Sequence, residues 1–198
     1  MLGQLPRALE VGGKRYDIRS DYRVILRVLA AATDAELTDE DKVLVCFVNV
    51  YRDFQSIPQA DYIEAYEKAL WFIEGGRHTE RKGPKLMDWT LDEDLIFPAV
   101  NQAAGKEVRD LEYLHWWTFL GYFQSIDRES LFGTVLHIRQ KRKKGKKLES
   151  WEQEFYQNNR ELCDLHEHKD SAKTAEDQLA RIFAELVAQG GGESGGKV

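Results

Sequence analysis

The chain has 198 residues and sets 28 Lys and Arg against 34 Asp and Glu, a formal net charge of −6. That length suffices for one domain with a buried core, and the acidic balance is mildly repulsive to nucleic acid as a whole. Only four prolines and a 31% charged fraction favour amphipathic helices over a sandwich of many turns.

No apolar run approaches the roughly 20 residues that span a bilayer. Arg7 and Glu10 stand where an export signal would need its apolar stretch, so none is expected. Cys46 lies in the apolar run Leu44–Val48 as a small hydrophobe, and Cys163 sits far away in a polar stretch. Two such thiols make no disulfide framework, which suits a reducing cytoplasm. The expected fold is mainly α, a single helical domain of about seven to eight helices with a short N-terminal β-hairpin. Residues 1–165 form that domain, 166–188 a C-terminal helix and 189–198 a flexible Gly-rich tail.

Residues 8–11 and 14–18 flank Gly12-Gly13, a pair that takes the positive φ angles of a two-residue turn. A lone hairpin is marginal in water, so this one must pack on helices or pair its open edge with another chain. Ser20 or Asp21 then caps a helix bearing Tyr22, Val24, Ile25, Val28 and Leu29 at helical spacing. Thr38-Asp39-Glu40-Asp41 starts a second, with Val43, Phe47, Val50, Tyr51 and Phe54 on one face. Pro58 opens a third, with Tyr62, Ile63, Tyr66, Ala69, Leu70 and Ile73 inward and Gly75-Gly76 as its stop.

Residues 77–90 read as a loop, basic at first through Arg77, His78, Arg81, Lys82 and Lys85. Asp92, Glu93 and Asp94 introduce a fourth helix through Leu95, Ile96, Ala99 and Val100, which kinks at Pro98 or begins there. From Tyr113 to Phe123 apolar groups occupy nearly every helical direction, the mark of a helix buried on several sides. Residues 110–124 are expected to be the central helix, with Tyr113, Trp116, Trp117, Phe119 and Leu120 in the core. A sixth helix over 127–143 carries Leu131, Phe132, Val135 and Ile138, and a seventh over 149–163 carries Trp151, Phe155 and Leu162. A last one over 171–188 presents Ala175, Leu179, Ile182, Phe183 and Leu186 as a stripe that little else in the chain is committed to cover.

The chemistry-bearing groups are few. Cys163, His166 and His168 have metal-ligand types, but histidines two apart on a helix diverge and no second cluster completes four ligands. His115 invites a catalytic reading, yet no nucleophile is placed for it; a core or interface histidine bonded through one nitrogen fits better. Asp92, Glu93 and Asp94 are explained by the helix dipole. The basic run Lys141, Arg142, Lys143, Lys144 continues to Lys146-Lys147 around Gly145. It reads as a cationic helix end, as a dock for an acidic protein surface or as a nucleic-acid patch. The lack of interleaved aromatics and the acidic chain disfavour the last. No catalytic residue, metal or cofactor is assigned, and the chain is expected not to be an enzyme.

Four pieces, in this order, resemble one phage family: Leu5-Pro6 followed by Gly13–Arg23; Leu91-Asp92-Glu93-Asp94; Leu114-His115-Trp116-Trp117-Thr118-Phe119; and Ile138-Arg139 before the basic linker. The family is the bacteriophage gene-product-fifteen family of long-tailed siphophages, and the resemblance covers roughly residues 1–165. It implies a place in the tail-gene cassette and a role like that of tail assembly chaperones, which bind the tape measure protein before the tail tube polymerises. The partners so implied are the tape measure protein and the major tail protein, with homo-oligomerisation compatible and no membrane or nucleic acid. The location implied is the host cytoplasm, with the protein absent from the mature virion. The candidate contact residues are Leu179, Ile182, Phe183 and Leu186, the basic residues 141–144 and the hairpin edge. A minor structural tail component and a nucleic-acid-binding regulator are the competing readings.

Overall fold

The structure, a computed structural model, describes residues 3–77 and 84–165. Strands β1 (Ala8–Val11) and β2 (Lys14–Asp17) form the N-terminal antiparallel hairpin. Gly12 and Gly13, at φ 55° and 72°, make its two-residue turn. Leu9, Val11 and Tyr16 are buried. The chain then continues along two longer-range bridges, Ile18 with Tyr51 and Asp21 with His115. These bridges and the helices beneath give a marginal two-stranded element the support it lacks alone.

Helix α1 (Tyr22–Ala32) begins where the Asp21 carboxylate accepts from the Arg23 amide at 3.0 Å. Helix α2 (Asp39–Val50) has a capping box, in which Thr38 and Asp41 each satisfy the other's backbone amide. Ile25 and Val28 of α1 join Val43, Cys46, Phe47 and Val50 of α2 in the core. Helix α3 (Tyr62–Ile73) follows a 3₁₀ turn at Gln59–Asp61, so Pro58 opens that turn and not the helix itself. Its inward residues are Ala65, Ala69, Phe72 and Ile73, whereas Ile63 is exposed. Strand β1 packs against this helix.

Helix α4 (Glu93–Ala104) runs continuously through Pro98. Pro98 is exposed, so the bond that its missing N–H cannot give to Asp94 is lost on the solvated side. Gly105, at φ 68°, closes the helix in the left-handed conformation. Helix α5 (Trp116–Gln124) is shorter than expected, because Tyr113–His115 are extended and engage residues 20–22. Leu114 N–H is satisfied by Asp21, Tyr22 N–H by the Leu114 carbonyl, and Trp116 N–H by the Ser20 carbonyl.

Helix α6 (Leu131–Lys143) starts at its Ser130 cap, four residues later than expected. The expected seventh helix is two, α7 (Ser150–Asn158) and α8 (Arg160–Cys163), divided at Asn159. Trp151 and Leu131 are exposed, and Phe132, Val135 and Ile138 are core. The described residues therefore form a mainly helical fold of eight α-helices with one two-stranded sheet. No helix among them is long and apolar enough to cross a membrane. The expected C-terminal helix with Leu179, Ile182, Phe183 and Leu186, the Gly-rich tail, and His166 and His168 lie outside the described residues.

Candidate functional site

The most specific sequence piece, Leu114–Phe119, lies at the junction of α1, α3, α4 and α5. Trp116 Nε1–H donates to the Ile73 carbonyl and Trp117 Nε1–H to the Phe72 carbonyl, each at 2.8 Å. Those carbonyls belong to the last turn of α3, where carbonyls run out of intrahelical donors; that of Phe72 also accepts from the Gly75 amide at 3.1 Å. The two indoles thus close the end of one helix from the first turn of another. Phe119 stacks on Tyr22 at 4.6 Å, while Trp116 lies edge-on to Trp89 and stacks on Phe119. Gly76 is needed beside them: at φ 82°, a Cβ there would lie 2.9 Å from the Trp117 ring.

Of the five residues expected in the core, Trp116 and Phe119 are fully buried, and Trp117 and Leu120 are partly buried against it. Tyr113 is a correction. It is 44% exposed, its hydroxyl shares a 2.8 Å hydrogen bond with Ser20, and Arg7 lies over its ring. Tyr113 precedes the helix, so the helical stripe that would have turned it inward does not reach it.

His115 is the N-cap of α5. Its Nδ1 accepts from the Trp117 amide at 3.0 Å, and the remaining ring nitrogen, Nε2, lies 2.8 Å from the Pro6 carbonyl. An accepting Nδ1 places the ring proton on Nε2, where it is donated to Pro6. Both nitrogens are engaged, where one was expected. Burial pushes the imidazole below its ordinary value and the nearby Arg7 charge adds to this, while the Pro6 bond opposes. The ring is held neutral as a structural cap.

A second cluster binds α4, α6, α7 and α8 through charge. Arg139 makes a two-pronged pair with Asp92, 2.8 Å on each prong, and also donates to the carbonyls of Leu86 and Leu162. Both side chains are almost wholly buried. Asp92 stands at the N-cap of α4, ahead of Glu93 and Asp94 in its first turn, and makes no capping bond there; its carboxylate is taken by Arg139 and by the Asp88 amide. Glu152, 1% exposed, accepts from Lys141 at 2.5 Å and from the Glu149 amide at 2.7 Å, and meets His137 at 2.8 Å. Burial pushes its carboxyl up, yet those bonds outweigh burial and hold it at about 2.

The basic run is therefore divided. Lys141 is committed to Glu152 and Glu149, and Arg142 pairs with Asp164 while lying 4.1 Å over the Tyr156 ring. Lys143 also has an interaction of its own. Lys144, Lys146 and Lys147 are exposed beyond the helix end. The run's first half is part of the scaffold, and only its second half is presented outward. Cys163 is buried beside this cluster with its thiol pushed up by burial. Among the described residues no group of three or more His, Cys, Asp or Glu is placed to hold a metal ion.

From the sequence Arg139 entered only within the Ile138-Arg139 piece, with no buried role assigned to it, and Glu152 was not singled out. The available signal was an arginine at a core position of α6, four and seven residues on from the buried Val135 and Phe132. For Glu152 it was an acid at the third position of a helix whose cap, Glu149, is itself acidic.

Comparison with known families matches residues 1–165 to a family model described as Bacteriophage Gp15 protein. No curated protein and no solved structure matches the chain.

Proposed function

Because the chain belongs to the bacteriophage Gp15 protein family, we propose that it is a phage tail assembly chaperone. In this reading it binds the tape measure protein in the host cytoplasm before the tail tube polymerises, and then leaves. The family match over residues 1–165 is the observation that carries it. A tape measure protein is long and helical, and exposes apolar stripes before assembly that would otherwise aggregate. A helical partner with exposed apolar side chains covers such stripes by helix-in-groove docking.

The physical character of the chain supports a binding role. Its conspicuous polar groups, His115, Arg139, Asp92 and Glu152, are spent on internal bonds. Its outward surface offers Leu44, Val48, Ile63, Leu91, Leu131 and Trp151 as exposed apolar residues. The C-terminal stripe at Leu179, Ile182, Phe183 and Leu186 is proposed as a further contact. The nucleic-acid reading is weaker, since Lys141 and Arg142 are occupied by Glu152 and Asp164.

Co-expression with the tape measure protein of the same phage tests the proposal. Soluble tape measure protein that co-purifies with this chain, and precipitates without it, is the expected result. An insoluble tape measure protein in both cases overturns it.

A further inference from the structure

Four arginines, Arg7, Arg15, Arg19 and Arg52, line one open cleft of about 640 Å³ beside the hairpin and the start of α1. Elsewhere in the fold Arg23, Arg109, Arg139 and Arg142 each meet a carboxylate within 4.0 Å, namely Asp21, Glu107, Asp92 and Asp164. Among the described residues none of the four cleft arginines has such an ion pair. The contrast lies in placement, because the chain as a whole has carboxylates in excess.

Arg19 is the fixed point of the cleft. Its guanidinium donates to the carbonyls of Val48, Tyr51 and Arg52, which locks its position and leaves its charge uncompensated. Arg7 lies over the Tyr113 ring, 5.4 Å from its centre, and Arg15 and Arg52 are exposed at the rim. Two acids share the lining. Asp21 is already engaged by Arg23 and by the amides of Arg23 and Leu114, and Asp17 forms no ion pair within 4.0 Å among the described residues. Four positive charges face two negative ones, in a chain of net charge −6. Clustered like charges repel, and a planar guanidinium fork matches a carboxylate in two-pronged geometry.

Apolar groups border the cleft. Val24 and the Tyr113 ring stand within it. Val48, whose carbonyl holds Arg19, is 46% exposed on α2, one turn from Leu44 at 51%. A pit of cations beside an apolar strip fits a segment with acids on one side and aliphatic residues on the other. A nucleic-acid backbone fits poorly, since its repeated phosphates would run against Asp17, Asp21 and an acidic surface.

We propose that this cleft is a carboxylate-binding site that docks an acidic, amphipathic segment of a partner protein. It rests on the reading that the chain works by binding another protein, and names the face and chemistry of that contact.

The test uses the full chain, a short fluorescein-labelled peptide with glutamates on one face and leucines on the other, its glutamine counterpart, and a single-stranded DNA oligomer. Fluorescence anisotropy is expected to show the glutamate peptide binding about tenfold or more tighter than the glutamine peptide, with the DNA weakest. The triple variant Arg7→Ala, Arg15→Ala, Arg52→Ala is expected to lose that preference; Arg19 is kept because it holds backbone. The single charge reversal Arg52→Glu, at an exposed site, gives the same answer should the triple variant not fold. Equal binding of the two peptides, an undiminished preference in a folded variant, or preferential DNA binding would overturn the site. Capture of the tape measure protein by wild type and triple variant alike overturns the cleft and leaves the chaperone reading standing. Failure of the wild type to capture it overturns the chaperone reading, whatever the peptides do.

Discussion

The two halves of the molecule hold their helices together by different means. Around α5 the joint is aromatic, with two indoles donating to the carbonyls that end α3 and a stack of Trp116, Phe119 and Tyr22 behind them. Around α6 the joint is ionic, with Arg139 and Asp92 buried together and Glu152 surrounded by donors. Burial of aromatics is favourable in itself. A buried ion pair has to recover its desolvation cost through geometry, and its value lies in how much is lost when one partner goes. The first joint should therefore respond to side-chain volume, and the second to the loss of a charged partner.

The largest effect expected is for Trp116→Ala, about 5 kcal/mol of lost stability, because it opens a cavity and strips the Ile73 carbonyl of its donor. Denaturant unfolding measures it, and a loss below about 2 kcal/mol would show that the aromatic joint is peripheral. Asp92→Ala comes next, at about 4 kcal/mol, since it strands the Arg139 guanidinium in the interior. Replacing both partners together, Asp92→Leu with Arg139→Met, should restore most of that loss. If the double variant is as unstable as the single one, packing and not charge holds this joint.

Gly133→Ala is a smaller disturbance, about 2 kcal/mol. The added Cβ would stand 2.5 Å from the Arg128 carbonyl and 2.7 Å from that of Asp127, where the loop before α6 crosses the helix. The thermal midpoint reports it, and an unchanged midpoint would mean that the loop gives way freely.

Acid should separate the two joints. His115 is held below its ordinary 6.5, chiefly by burial. Its contribution to stability is therefore complete above pH 6.5 and is lost as pH falls below that value. Glu152 is held at about 2 against an ordinary 4.5, so its contribution is complete above pH 4.5 and is lost only as pH falls from there towards 2. His115→Asn keeps a side chain able to cap α5 and removes the titration. Thermal midpoints of the two proteins should draw together as pH falls from 6.5 to 4.5, the wild type losing more. Parallel curves would show that the His115 cap does not depend on charge.

The sequence disclosed much of this architecture, unevenly. The hairpin was legible because Gly12-Gly13 has one common use between alternating residues, and α2 because Asp39, Glu40 and Asp41 crowd its first turn, where the helix dipole favours acids. Trp116 and Phe119 were legible as core from apolar density alone. Tyr113 was misplaced because that density ignores where a helix begins, and the start is set by a histidine, an uncommon cap. Ile63 was misplaced because Ala65, which carries little hydrophobic weight, takes the inward position with Ala69 on α3. The ionic joint was not legible at all. Arg139 and Asp92 are 47 residues apart, and each has an adequate local explanation as a surface charge. The arginine cleft is similar, since its four members come from the hairpin region and the end of α2 and converge only through tertiary contacts.

As a chaperone, the chain would assist tail assembly by holding a partner and would not be built into the particle. Quantitative mass spectrometry of infected-cell lysate and of purified virions tests it most directly. The expected result is this chain in complex with the tape measure protein in the lysate and its absence from mature virions. A fixed stoichiometric copy number in purified virions would contradict it and make the protein a structural part of the tail.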